Sequence, residues 1–224
     1  MTRLLERRTV RRLSQSLDKE RGIEYFYGPF LSAAIAGRDD AAARLIMTMA
    51  LDDDVSPRSI EEIILQSHLF LGFPAMIEAA RIFAEVTGDG GKADGLPGAY
   101  SGKDCRDWNR QGTAKIKHIY GPAFDRLVGY INSFSPQILT WMINDGYGQV
   151  LSRPGAAFPL RELSVIATLT VTSYENQLGA HIRGTLNVGV KSALIRKTMR
   201  NCRFFCTGDN IRTAVHILDK AVTT

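Results

Sequence analysis

The hydrophobic positions of this chain fall in blocks punctuated by residues that start and stop helices. Ser56-Pro57 sets a capping serine before a proline at a first helical position, IEEIILQSHLFL carries the apolar stripe, and Gly72 stops it. FPAMIEAARIFAEV extends the pattern to Gly88, and Ser135-Pro136 opens PQILTWMIND, closed by Gly146. Thr172 and Glu175 have capping-box spacing ahead of a segment that Gly189 ends. Near the N-terminus Leu4, Leu5, Val10, Leu13 and Leu17 recur at helical spacing, with Arg3, Arg7, Arg8, Arg11 and Arg12 among them. That pattern predicts an amphipathic helix whose apolar stripe docks on the body or on a neighbouring subunit. LSVIATLTVTSY is ambiguous, because its β-branched residues suit a strand as well as a helix.

Two blocks repeat one pattern. Residues 57–87 and 193–223 both read helix-glycine-helix when Gly72 is laid on Gly208, which predicts two helical hairpins about a shared core. Between them, residues 88–117 are polar and glycine-rich and read as a long connection. The glycines there lack phosphate-loop spacing before a Lys-Ser or Lys-Thr. The expected organisation is a basic helix over 1–21, a degenerate first repeat over 22–88, a linker over 89–117 and a second repeat over 118–224.

Composition narrows the partners. With 45% apolar residues in 224, the chain can bury a sizeable core. No apolar run approaches the ~18 residues of a membrane span, and the N-terminus lacks a secretion-type apolar core, so a cytoplasmic location is expected. The net charge of +5 owes much to the N-terminal arginines, but Glu6, Asp18 and Glu20 interrupt them. No aromatic-and-basic platform is evident elsewhere, so neither nucleic acid nor membrane is an expected partner. Cys105, Cys202 and Cys206 make no disulfide framework, and Cys202 and Cys206 share a helix face that suits an interior. Four scattered histidines and the lack of an HExxH or paired CxxC motif give no metal site, and no cofactor is expected.

The candidate chemistry lies in TSYENQLGAHIRGTLNVG. On a helix starting near Ser173, Tyr174, Gln177 and His181 fall within ~60° of arc, and Glu162 lies upstream. A converging Tyr, Gln, His and Glu could supply hydrogen-bond donors, a proton carrier and an orienting carboxylate. The plainer alternative, which the residues by themselves favour, is that Gln177 and His181 are polar groups satisfying backbone at a helix crossing. Arg153, in the SRPGAAF turn, could hold a substrate carboxylate in a bidentate fork or fasten its own loop.

The stretch from Gly146 to Val190 resembles the carboxymuconolactone decarboxylase family. The residues that carry the likeness are Tyr147-Gly148, Arg153-Pro154-Gly155, Arg161-Glu162-Leu163, Gln177-Leu178 with His181, and Asn187 with Gly189. The resemblance implies an all-α, alkylhydroperoxidase D-like fold with two degenerate repeats, and so makes LSVIATLTVTSY a helix. It also implies homo-oligomers, trimers or hexamers, with sites near subunit contacts and a small-molecule substrate. In the family's redox branch two cysteines stand between the Glu and the His, and Tyr174 and Gln177 occupy those positions here. An antioxidant thiol-peroxidase activity is therefore disfavoured, since it needs a thiolate and a resolving partner.

The decarboxylase branch needs no sulfur. By resemblance, His181 is the proton carrier, Glu162 its partner, Tyr174 and Gln177 donors to a developing oxyanion, and Arg153 the anchor for a substrate carboxylate. The first repeat offers no second histidine, Leu45 standing at the corresponding position. A non-enzymatic helical oligomer of the same fold is the remaining alternative.

Overall fold

The computed structural model describes residues 5–16, 22–88 and 102–223, and among them helices alone make the regular structure. The fold is all-α. The helices are α1 (Arg7–Ser14), α2 (Glu24–Ala36), α3 (Asp40–Asp52), α4 (Pro57–Gln66), α5 (His68–Thr87), α6 (Gly102–Tyr120), α7 (Phe124–Phe134), α8 (Pro136–Trp141), α9 (Phe158–Thr172), α10 (Glu175–Asn187), α11 (Ser192–Asn201) and α12 (Gly208–Thr223). They divide into two compact units, one of Met1–Ala93 with Gly155–Thr224, the other of Asp94–Pro154.

The larger unit is a repeat. α2 to α5 and α9 to α12 follow one plan: α3 packs on α2 and α5 as α10 packs on α9 and α12. Backbone punctuation sets the register. Arg38 (φ 54°) and Ser173 (φ 58°) take the left-handed conformation after the first helix of each repeat, and Asp54 (φ 59°) and Gly189 (φ 84°) after the second, at the same interval. This extends the likeness seen in residues 57–87 and 193–223 back to α2 and α9. It also moves the register by one residue, so Gly72 answers to Thr207 rather than to Gly208. Gly72 (φ 78°) kinks α5 where the second repeat breaks between its 3-10 turn, Cys202–Phe204, and α12. Only glycine takes that conformation without cost.

α2 and α9 form the most extensive helix contact of this unit. Both are buried nearly all round, which fits their lack of a polar face. They approach closely at Gly28, where a Cβ would lie 2.8 Å from Leu160 Cδ1. The β-branched run in α9 is helical, as the resemblance implied. Burial outweighs propensity, and its hydroxyls are satisfied along the helix, Ser164 donating to Leu160 O, Thr170 to Ile166 O and Thr172 to Thr168 O. α1 docks through Val10, which is fully buried, while Leu5 and Leu13 pack on the same core. Arg3, Leu4, Leu17, Asp18 and Glu20 lie outside the described residues.

The second unit contains α6, α7, α8 and a π-helical segment, Met142–Val150. Residues 102–117, read from composition as connection, are the body of α6. Gly112 and Gly148 let α6 and the π segment meet at backbone distance, since a Cβ on either would strike the other element's main chain. Ser135 caps α8, accepting from Ile138 N at 3.1 Å as the motif predicted, but α8 stops at Trp141 and the π segment runs through Gly146. Among the described residues, no helix is long and apolar enough to cross a membrane.

Candidate functional site

Glu162 lies on α9 and His181 on α10, and both are buried. His181 Nδ1 is 2.9 Å from Glu162 Oε2. A carboxylate accepts, so Nδ1–H donates and Nε2 is left as the nitrogen that can take up or deliver a proton. Thr185, one turn beyond His181, is 2.6 Å from His181 O and 3.4 Å from Glu162 Oε2. Its single hydroxyl proton goes to the shorter contact. The other carboxylate oxygen, Glu162 Oε1, is buried and has no hydrogen-bond partner among the described residues. Such an orphaned acceptor costs about 1–3 kcal/mol.

The Phe70 ring packs edge-on against His181, with centroids 5.5 Å apart. Phe70 also lines a cavity of about 740 Å³, walled by Ile35, Leu71, Ala79, Arg38 and Tyr174 among others. Phe70, from the first repeat, thus borders the cavity on one side and His181 on the other, while His181 and Glu162 are not among the cavity's lining residues. Phe70 and Thr185 carry no motif of their own, although Thr185 stands one helical turn from His181, a spacing that sequence alone displays.

Tyr174 and Gln177 do not join the His181–Glu162 pair. α10 begins at Glu175, so Tyr174 is its N-cap (φ −81°, ψ 77°) and not part of the helical stripe. The expected capping box does not form, because Thr172 is the last residue of α9 and Ser173 makes the left-handed turn. Tyr174 is 60% exposed at the cavity edge. Gln177 is exposed on α10. The stripe therefore divides, with Tyr174 and Gln177 outward and His181 inward. Arg153 is half-buried in the second unit, where its amide donates to Val150 O at 3.2 Å.

A second buried polar cluster underlies the first turn of α9. Arg161 is fully buried, and its Nη2 donates to Glu62 Oε2 on α4 at 2.9 Å. Arg58 Nε donates to the other oxygen of Glu62 at 3.0 Å, and Gln66 Nε2 donates to Arg161 O at 3.1 Å. The cluster ties the two repeats together immediately before Glu162. Its trace in the sequence is Glu62 standing within the apolar stripe of Ile60, Ile63 and Ile64.

The cysteines do not form a redox centre. Cys202 is fully buried, and burial, with Cys206 beside it, drives its thiol well above the ordinary range. Burial pushes the Cys206 thiol up to about 11. Among the described residues, no three His, Cys, Asp or Glu side chains gather to hold a metal ion.

The chain is similar to 4-carboxymuconolactone decarboxylase from Acinetobacter baylyi (strain ATCC 33305 / BD413 / ADP1), 25% identical over 104 residues, which is 46% of this chain and 74% of the relative. No protein-family model matches the chain.

Proposed function

We propose that this chain is a decarboxylase-like enzyme acting, without a cofactor, on a small carboxylated lactone or a related compound. The observation that carries the reading is the buried His181–Glu162 pair with Glu162 Oε1 unpartnered. The distant similarity to 4-carboxymuconolactone decarboxylase supports the reaction class.

In this reading the substrate occupies the cavity bordered by Phe70 and Tyr174. Loss of carbon dioxide leaves the electron pair of the broken C–C bond conjugated with the lactone carbonyl, and the oxygen gains charge. Tyr174, at the cavity edge, donates to that oxygen. His181 Nε2 delivers or relocates the proton, while Glu162 holds the ring through Nδ1 and stabilises the imidazolium. Homo-oligomers, which the family resemblance implies, would complete the exposed edge at Tyr174 and Gln177.

A thiol-peroxidase reading is opposed by the raised thiols of Cys202 and Cys206, which hold little thiolate near neutral pH. The test is carbon dioxide release from carboxymuconolactone by the wild type and by His181→Ala. Turnover by the wild type that the variant loses supports the proposal. A folded wild type that releases none sinks it for this substrate.

A further inference from the structure

We infer that the groove between α1 and the Cys202–Phe204 turn is a binding site for a small, soluble, phosphate-bearing polyanion. The groove has a volume of about 700 Å³ and is lined by Arg8, Arg11, Arg12 and Arg203, with Phe204 and Leu5 on its apolar side. Glu6 is the acidic group among its lining residues. Four guanidiniums against one carboxylate leave a concave surface of strongly positive sign.

Docking alone does not account for these arginines. α1 is fastened by the buried Val10 and by an ion pair from Arg7 to Asp52 on α3. Arg8, Arg11 and Arg12 are exposed, and none makes an ion pair among the described residues. Residues at this helical spacing are neighbours on one face, where like charges repel. Arg203 adds a fourth positive charge from the second repeat. Its guanidinium lies over the Phe204 ring at 4.8 Å, and Nη1 donates to Arg200 O at 3.1 Å, so the group is held in place before any ligand arrives. Phe204 in turn packs edge-on against Phe30 of α2, which makes the floor of the groove part of the rigid core.

Several guanidinium forks on a fixed scaffold match the many oxygens of a phosphate chain, whereas a single carboxylate would neutralise only one of them. The volume lies in the range of small-molecule sites, and the stacked Arg203–Phe204 pair offers a flat surface to a planar ring. A nucleoside di- or triphosphate uses both features. This site shares no lining residue with the cavity bordered by Phe70 and Tyr174.

The test is calorimetric titration of the full chain with tripolyphosphate and with ATP, at about 0.1 M salt, where the screening length is ~10 Å. The expected result is saturable one-to-one binding, weakened at least tenfold by Arg203→Gln and by Arg8→Gln with Arg12→Gln. Arg44→Gln, a surface arginine elsewhere, should leave it unchanged. Arg203→Gln carries the test by itself if the double variant unfolds. Lack of saturable binding, or binding that Arg203→Gln does not weaken, would overturn the inference. So would binding confined to vesicles of anionic phospholipid or to duplex DNA, arms that identify a membrane or nucleic-acid surface instead.

Discussion

The two repeats of the larger unit place different chemistry at the same positions. In the register set by Arg38 with Ser173 and Asp54 with Gly189, Glu162 answers to Tyr27 and His181 to Ile46. The first repeat's histidine position is thus Ile46 rather than Leu45, and it is aliphatic in either register. Tyr27 is buried and its hydroxyl donates to Asp53 at 2.5 Å, while Ile46 is fully buried in the main core. One copy of the helix crossing is satisfied and sealed. The other holds a carboxylate with an unpartnered oxygen beside an imidazole. A fold that needs only a packed crossing can use the first solution, so the second invites a functional reason.

The largest expected effect separates the copies by activity. If the wild type releases carbon dioxide from carboxymuconolactone, His181→Ala should lower kcat by about 10²–10⁴-fold, the scale of a lost general acid–base group. Tyr27→Phe should leave kcat near the wild-type value and lose about 1 kcal/mol of stability with its hydrogen bond. A comparable loss of kcat in both would break the distinction between the repeats.

Next comes stability. Glu62→Ala strands the buried Arg161 guanidinium and should cost about 3–5 kcal/mol, read from denaturant unfolding. The dyad should behave non-additively. His181→Leu leaves Glu162 buried without its partner and should destabilise by about 3 kcal/mol, whereas Glu162→Leu with His181→Leu should recover most of that loss. Additive losses would mean that the pair is not coupled.

A smaller effect probes the shared helix crossing. Gly28→Val must push Leu160 aside and should cost about 1–3 kcal/mol, seen as a lower unfolding midpoint, with secondary structure retained in circular dichroism.

The smallest effect is a thiol titration. Cys206 is protonated in both folded and unfolded chains below about 9, so its contribution is complete there. As pH rises from 9 towards about 11 the unfolded thiol ionises first, and stability falls across that window. Alkylation near pH 8 should accordingly reach the exposed Cys105 well before Cys206. Prompt labelling of Cys206 would contradict its burial and reopen the thiol reading.

The helical punctuation and the Glu-to-His spacing were legible in the order of residues alone. Pro57, Ser135, Gly88 and Gly189 act through local backbone geometry, and such signals survive without tertiary context. The repeat was partly legible, because helix-glycine-helix is a local pattern. Its full extent was hidden, since α2 and α9 share burial on all sides and lack a periodic face to compare. Tertiary structure decided the rest. Whether Tyr174 joins the His181 stripe depended on a single left-handed turn at Ser173, which takes it out of the helix. Phe70 touches His181, and Arg161 meets Glu62, only because the two repeats fold onto each other. Distance along a chain carries no record of such contacts, whereas the burial they create determines which polar groups are satisfied and leaves Glu162 Oε1 without a partner among the described residues.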